Sequence, residues 1–172
     1  MATQQQIDFA REIYQAAKKA TDIAPEFVTA QAILESGWGK NRVGRFNLFG
    51  ITKGSSWKGK TALVLTHEYF NTPNKQFALP ERVISVAKCK TDNRWYYTVY
   101  RLFKDFDSLE ECLEEHTRLL QKPGYADAWP YRKDAIEFAR RICDGHGSRY
   151  ATAPGYFAQM VGLIKMVNRI CG

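Results

Sequence analysis

Hydrophobic residues recur at helical spacing near both ends of the chain and alternate with polar residues in its middle. The spacing predicts an amphipathic helix over residues 3–20. A second helix is predicted from Pro25, in its first turn, to the residue before Gly37, because proline and glycine favour these two ends. Its predicted core stripe contains Phe27, Ala30 and Leu34, and Glu35 lies one stripe over in the final turn.

Residues 37–60 have no periodicity and are rich in glycine and basic residues. We expect an ordered loop, because a solvated linker would not contain so many large apolar groups. Those groups are Trp38, Phe46, Leu48, Phe49, Ile51 and Trp57.

Three runs rich in β-branched and aromatic residues predict strands at 61–70, 82–90 and 95–103, the last two joined as a hairpin by the polar residues 91–94. A capping box of Ser108 and Glu111 predicts the start of another helix. Further helices fit 133–143 and 154–170. This order predicts a single α+β domain over 1–172, a mainly helical body with a small antiparallel β-lobe at about 57–105.

The chain carries 25 Lys and Arg against 18 Asp and Glu, a formal net charge of +7. All of this excess lies in residues 1–105, and residues 36–60 contain six basic residues and no acidic one. We therefore expect an anionic partner to bind the first part of the chain, while the charge alone admits nucleic acid, acidic membranes or acidic polysaccharide.

The sequence has no apolar run long enough to span a bilayer, and its N-terminus lacks the pattern of a secretion signal. Four scattered cysteines favour buried thiols over disulfides. The three histidines form no ligand cluster with these cysteines, so neither a metal nor another cofactor is expected.

Glu35 is the residue most suggestive of chemistry. A carboxylate at a helix C-terminus faces the negative end of the helix dipole, and Trp38 nearby would shield it from water. Both effects raise the pKa, as a general acid requires near neutral pH. For an arbitrary helix, a solvated glutamate in the last turn is the simpler interpretation.

The motifs around Glu35 resemble those of a known family. Glu-Ser-Gly-Trp-Gly at 35–39 and Asn-Leu-Phe-Gly-Ile at 47–51 are similar to motifs of the glucosaminidase family of peptidoglycan hydrolases, glycoside hydrolase family 73. The resemblance continues in order through Trp-Lys-Gly at 57–59, Thr-His-Glu-Tyr at 66–69, the segment 103–111 and Arg-Tyr-Ala-Thr-Ala-Pro-Gly-Tyr at 149–156.

The resemblance implies a lysozyme-like fold and an endo-β-N-acetylglucosaminidase activity on peptidoglycan glycan strands. Glu35 would be the general acid. Glu68 matches the second family carboxylate. It would act as a general base, stabilise the transition state or position the substrate. The alternative is that Glu68 is an exposed strand carboxylate without a catalytic role. Tyr150 matches a cleft tyrosine that would bond to the acetamido group or a carboxylate, or it packs at a helix entrance.

The resemblance also provides candidates for substrate binding. Asn47, Trp57 and Tyr156 would line the glycan cleft, since sugars stack on aromatic faces and bond to amides. Trp38 is either a wall of the cleft or a core residue that also desolvates Glu35, and we favour the second.

Alternative functions remain open at this stage. A muramidase or lytic transglycosylase would share the helix-end glutamate, and a non-catalytic peptidoglycan-binding module would share the charge. No motif supports a nucleic-acid partner, whereas peptidoglycan or other anionic wall polymers explain the basic surface. We expect a monomer without membrane insertion that is made in the cytoplasm and reaches the cell wall through a holin, a virion or a secretion system.

Overall fold

The computed structural model describes residues 1–144 and 155–172, and this part of the chain contains five α-helices and a three-stranded antiparallel sheet. The predicted α+β class is confirmed. The main elements are α1 (Gln4–Ala20), α2 (Pro25–Ser36), β1 (Thr61–Phe70), β2 (Arg82–Lys88), β3 (Trp95–Lys104), α3 (Leu109–Leu120), α4 (Ala135–Asp144) and α5 (Tyr156–Cys171).

Helix α2 is the centre of the helical body and lies against α1, α4 and α5. Pro25 occupies its first turn, and Gly37 ends it with a left-handed backbone at φ 56°. Most of its side chains are buried, including Val28 and Gln31 in addition to the predicted stripe, whereas Leu34 is only half-buried. The helix is therefore buried on most of its faces, which the prediction of a single stripe underestimated.

The loop at 37–60 is ordered, as its apolar content predicted. Leu48, Phe49 and Ile51 are buried in the core of the helical body. The segment also joins the sheet, because Lys53 donates its backbone N–H to the carbonyl of Leu102 and Lys104 donates to that of Ile51. The loop thus connects the end of α2 to the β-lobe.

The sheet has the strand order β1-β3-β2, and the predicted hairpin joins its last two strands. Strand β2 ends at Lys88, two residues earlier than predicted, where the turn begins with Cys89 donating to the carbonyl of Arg94. One sheet face is covered by the chain that follows β1, since Phe77 packs edge-on against Phe70 and Tyr97. Tyr97 is fully buried there.

Ser108 begins α3 as predicted, and its hydroxyl accepts a hydrogen bond from the backbone of Glu111. In a complete capping box the Glu111 carboxylate would accept from the backbone N–H of Ser108. Here it accepts from the backbone N–H of Asp107, one residue earlier. Helix α4 begins two residues later than predicted. The predicted start of the last helix, Pro154, lies outside the described residues, and α5 is described from Tyr156.

Cys89, Cys112 and Cys171 are free thiols, as the sequence predicted, but of these three only Cys112 is buried, and Cys89 and Cys171 are half-buried. Burial raises the pKa of the Cys112 thiol to about 12. No helix within 1–144 and 155–172 has the length and apolarity needed to cross a membrane.

Candidate active site

Glu35 lines an open cavity of about 660 Å³ at the C-terminal end of α2. The loop at 49–56 and α3 also line the cavity, and Lys104 contributes from the end of β3. The left-handed turn at Gly37 ends the helix directly after Glu35, so the chain leaves this side chain at the cavity. The general acid candidate is therefore accessible to a ligand.

Two opposing interactions set the protonation of Glu35. Desolvation by the surrounding protein raises the pKa of its carboxyl group, and a hydrogen bond from Tyr156 partly opposes that rise. The Tyr156 hydroxyl donates to Oε1 of Glu35 over 2.8 Å. The net pKa is raised, which favours the protonated form that a general acid requires.

Tyr156 was predicted to line the glycan cleft, and the structure corrects that prediction. Its side chain is 7% exposed, and its hydroxyl lies against the acid rather than in open solvent. The same hydroxyl accepts a hydrogen bond from Nε2 of Gln31, and Oε1 of Gln31 lies 2.5 Å from Nε2 of His116. A buried polar chain thus extends from α3 through α2 and α5 to Glu35.

The cavity is bordered by cations from both halves of the sequence. Lys53 and Lys104 come from the first part of the chain, Arg118 comes from α3, and Lys122 follows the end of α3. Glu115, also in the cavity wall, pairs with Lys104 over 3.0 Å and with Arg118. The expectation that the basic surface belongs to residues 1–105 alone is therefore incomplete, because the fold brings α3 to the same cavity.

Among the described residues, two of the six basic side chains in the segment 36–60 form ion pairs. Arg45 contacts Asp107 at 2.5 Å, and Lys60 contacts the same carboxylate at 2.9 Å. These pairs tie the loop to the residues just before α3. Lys53 is the basic residue of this segment that lines the cavity with Glu35.

Glu68 lies on β1, on the sheet face that bears Tyr97. Its carboxylate pairs with Arg101, which also holds Glu81 at 2.6 Å. Glu68 is not among the residues lining the Glu35 cavity. The structure thus brings Glu68 together with Arg101 and Glu81, and its family-based role remains a prediction.

Asn47 was predicted to bind glycan, but the structure buries it, with only 1% of its surface exposed. Its amide nitrogen donates to the carbonyls of Ile51 and Lys104, each over 2.9 Å. Its amide oxygen accepts from the backbone N–H groups of Phe49 and Ile51. Asn47 therefore holds the loop against β3 and has no polar atom available for a sugar.

Trp57 is half-buried and packs edge-on against Phe106, with ring centroids 5.7 Å apart. Its indole N–H donates to the carbonyl of Lys60, and the ammonium of Lys104 lies 5.0 Å from its ring centroid. It touches the cavity wall through Lys104, and contact with a glycan remains a prediction.

Trp38 is half-buried against the core and meets Phe9 edge-on at 6.4 Å. It lines a separate depression with residues that include Thr3 and Gln6, not the Glu35 cavity. This position agrees with a packing role and not with a wall of the cavity.

Tyr150 lies outside the described residues, so its predicted role is not tested.

Gln31, His116 and Glu115 are site residues that the sequence reasoning did not select. Gln31 precedes Glu35 by one helical turn, and His116 follows the apolar positions of α3 at helical spacing, which is the signal for a buried histidine. No cluster of metal-ligating side chains occurs among residues 1–144 and 155–172.

A helix-end carboxylic acid in an open cavity, within a mainly helical body that carries a small sheet, defines a glycoside hydrolase of lysozyme-like type. The family model described as Glucosaminidase, mannosyl-glycoprotein endo-beta-N-acetylglucosaminidase, matches residues 11–169. The chain belongs to this glucosaminidase family, which confirms the resemblance carried by the motifs.

Individual relatives agree with that assignment. The chain is 28% identical over 163 residues to the peptidoglycan hydrolase FlgJ of Escherichia coli K12, covering 91% of this chain and 44% of FlgJ. It is 30% identical over 166 residues to a probable N-acetylmuramidase of Lactococcus lactis subsp. cremoris MG1363, covering 93% of this chain and 33% of that protein. The chain thus spans less than half the length of these two relatives.

A solved structure supports the fold over the whole domain. The crystal structure of a peptidoglycan hydrolase mutant from Sphingomonas sp. A1 is 26% identical, with a TM-score of 0.68. The match covers 98% of this chain and 97% of that one. The predicted lysozyme-like arrangement of helical body and β-lobe therefore agrees with a solved peptidoglycan hydrolase.

Proposed function

We propose that this protein is a peptidoglycan hydrolase that cleaves the β-1,4 bond of N-acetylglucosamine within glycan strands, with Glu35 as general acid. The observation that carries the proposal is the accessible Glu35 carboxyl group, whose pKa is raised by desolvation, at the end of α2. Membership of the glucosaminidase family supports the same reaction.

In this reaction, protonated Glu35 gives its proton to the glycosidic oxygen as the bond from that oxygen to the anomeric carbon breaks. A water molecule supplies the hydroxyl group that ends on the anomeric carbon, and the remaining proton restores the acid. No resident metal or other cofactor is required for this balance. The departing sugar leaves with a free hydroxyl group at the former glycosidic oxygen.

The second half of the reaction has two routes. In one route Glu68, which pairs with Arg101, activates the attacking water, and in the other the substrate's own acetamido oxygen attacks first. The first route requires the β-lobe to bring Glu68 toward the bound sugar. A large loss of kcat in Glu68→Gln supports the first route, and retained kcat supports the second.

We propose Tyr150 as a further cleft residue, on its match to the family motif alone. Its hydroxyl would hold the acetamido group of the sugar whose bond is broken. Tyr150→Phe should then raise KM for glycan fragments and reduce kcat.

The cations around the cavity suit an anionic glycan. Lys53, Lys122 and their neighbours would attract the lactyl carboxylates of N-acetylmuramic acid or the carboxylates of stem peptides. Wall polymers such as teichoic acids would be attracted by the same charges. We propose action on the cell wall, as a monomer, after delivery by a holin, a virion or a secretion system.

A muramidase specificity is the second candidate, because one relative is named a probable N-acetylmuramidase. Mass spectrometry of reduced digestion products from purified peptidoglycan distinguishes the two. Reducing-end N-acetylglucosamine supports the proposal. Reducing-end or anhydro N-acetylmuramic acid would instead assign a muramidase or a transglycosylase, and sedimentation with walls without any cleavage would assign a binding module.

A further inference from the structure

The buried chain from His116 to Glu35 has a defined direction of hydrogen-bond donation. The Tyr156 hydroxyl has one proton and donates it to Oε1 of Glu35, so it accepts from the amide nitrogen of Gln31 over 3.0 Å. The amide oxygen of Gln31 therefore faces His116 and needs a donor. His116 must then carry its proton on Nε2.

The surroundings of His116 fix that state. The imidazole is fully buried, burial lowers its pKa to about 3, and it stacks on Phe49 with ring centroids 3.8 Å apart. Among the described residues, Nδ1 of His116 has no hydrogen-bond partner, and no acceptor lies there to hold a proton on this nitrogen. The ring is thus neutral over the range in which Glu35 titrates, and it serves as a fixed donor.

We propose that His116, Gln31 and Tyr156 form a positioning relay that keeps a donor on Oε1 of Glu35, so that the acid proton is held on Oε2, the oxygen left for the substrate. This inference rests on the proposed role of Glu35 as general acid. Among the hydrogen bonds of the described residues, only the one from Tyr156 ends on Glu35.

The relay has two consequences for catalysis. It orients the acid before the substrate arrives, because a carboxyl group with one oxygen already accepting presents its proton from the other. It also stabilises the carboxylate that forms when the proton has left, since a charge-assisted hydrogen bond is stronger than a neutral one. Tyr156, Gln31 and His116 are positioning residues in this account.

Other charged groups also border the cavity and contribute to its pH profile. They come from the loop, from β3, from α3 and from the residues just after α3, and all of them remain in the variants below. They are Lys53, Lys104, Glu115, Arg118 and Lys122. A difference between variants and wild type therefore reports the relay and not these groups.

The test reads the Glu35 carboxyl group directly, by carbon NMR titration of protein labelled at glutamate. Tyr156→Phe should move the Glu35 titration to higher pH, because it removes the donor that stabilises the carboxylate. The alkaline limb of kcat/KM should move in the same direction, since the acid stays protonated to higher pH. Tyr14→Phe, on α1, is the matched control and should leave both curves unchanged. An unchanged Glu35 titration in Tyr156→Phe overturns the relay.

The far end of the relay is tested by two variants of equal packing loss. His116→Gln and His116→Leu both remove the stack on Phe49, but only glutamine keeps an N–H donor toward Gln31. His116→Leu should shift the Glu35 titration upward, and His116→Gln should stay near wild type. If the Glu35 carboxyl group titrates equally in the two variants, His116 does not belong to the relay. Full activity in Glu35→Gln, in contrast, would refute the proposed function and leave the NMR result standing.

Discussion

The hydroxyl of Tyr156 donates a hydrogen bond to Oε1 of Glu35 across 121 positions of sequence, and it joins the start of the last helix to the end of the second. The bond makes the candidate acid depend on the packing of α5 against α2. Tyr156 is anchored by Met160 and Ile164, which follow it along the buried face of α5. The site is therefore a product of tertiary packing rather than of the Glu35 motif alone.

Asn47→Ala should destabilise the protein rather than weaken substrate binding specifically. The change leaves two carbonyls, one of them buried, and two buried backbone N–H groups without their side-chain partner. We expect a loss of about 3 kcal/mol in the free energy of unfolding. Urea unfolding measures it, with the exposed Asn93→Ala as control. An unchanged free energy of unfolding together with a raised KM would show instead that Asn47 binds substrate.

Substitution of two glycines by alanine should have opposite effects. Gly37 has φ 56° at the end of α2, and a Cβ there would lie 2.9 Å from the Asn41 amide nitrogen. Gly37→Ala should cost about 1–2 kcal/mol of stability. Gly162 lies within α5 with nothing within 4 Å of an added Cβ, so Gly162→Ala should add about 0.5–1 kcal/mol. Thermal unfolding measures both, and a stabilised Gly37→Ala would contradict the described helix end.

The cations of the cavity should act on substrate capture. Lys53→Glu combined with Lys122→Glu should raise KM for peptidoglycan, with a smaller effect on kcat. The difference in KM between this double variant and wild type should shrink at 1 M salt, where the Debye screening length is about 3 Å. Lys90→Glu with Lys165→Glu changes the net charge equally at exposed positions outside the cavity wall. Equal KM values for the two double variants would show that only net charge matters.

His116 should make the fold sensitive to acid. Burial lowers its pKa to about 3, well below the ordinary value of about 6.5 expected in the unfolded chain. The unfolded state therefore binds the proton first, and stability is lost as the pH falls from about 6.5 toward about 3. His116→Gln should lose less stability than wild type between pH 7.5 and pH 4.5 in urea unfolding. A parallel loss in both proteins would contradict the buried neutral imidazole.

Local signals were sufficient to predict most of the fold. Pro25 and Gly37 mark the ends of α2, Ser108 marks the start of α3, and the alternation at 61–70 gives β1 with its observed bounds. Such signals operate within a few residues along the chain, so they do not depend on how the elements pack.

Long-range contacts account for the errors. Asn47 lies in a glycine-rich loop, and only the approach of β3 at Lys104 shows that its amide is used inside the protein. Tyr156 has the spacing of a buried residue, but helical periodicity does not indicate which carboxylate its hydroxyl meets. His116 follows Cys112 and Leu113 on the buried face of α3, so its burial could have been predicted from sequence, although its bond to Gln31 could not.

The role of Glu35 is tested most directly by digestion of purified peptidoglycan with wild type, Glu35→Gln and the exposed control Glu110→Gln, followed by mass spectrometry of the soluble fragments. We predict fragments with reducing-end N-acetylglucosamine from wild type and Glu110→Gln. Glu35→Gln should fold normally and release fragments at least 100-fold more slowly, the order expected for loss of a general acid. Release at the wild-type rate by Glu35→Gln would contradict the account.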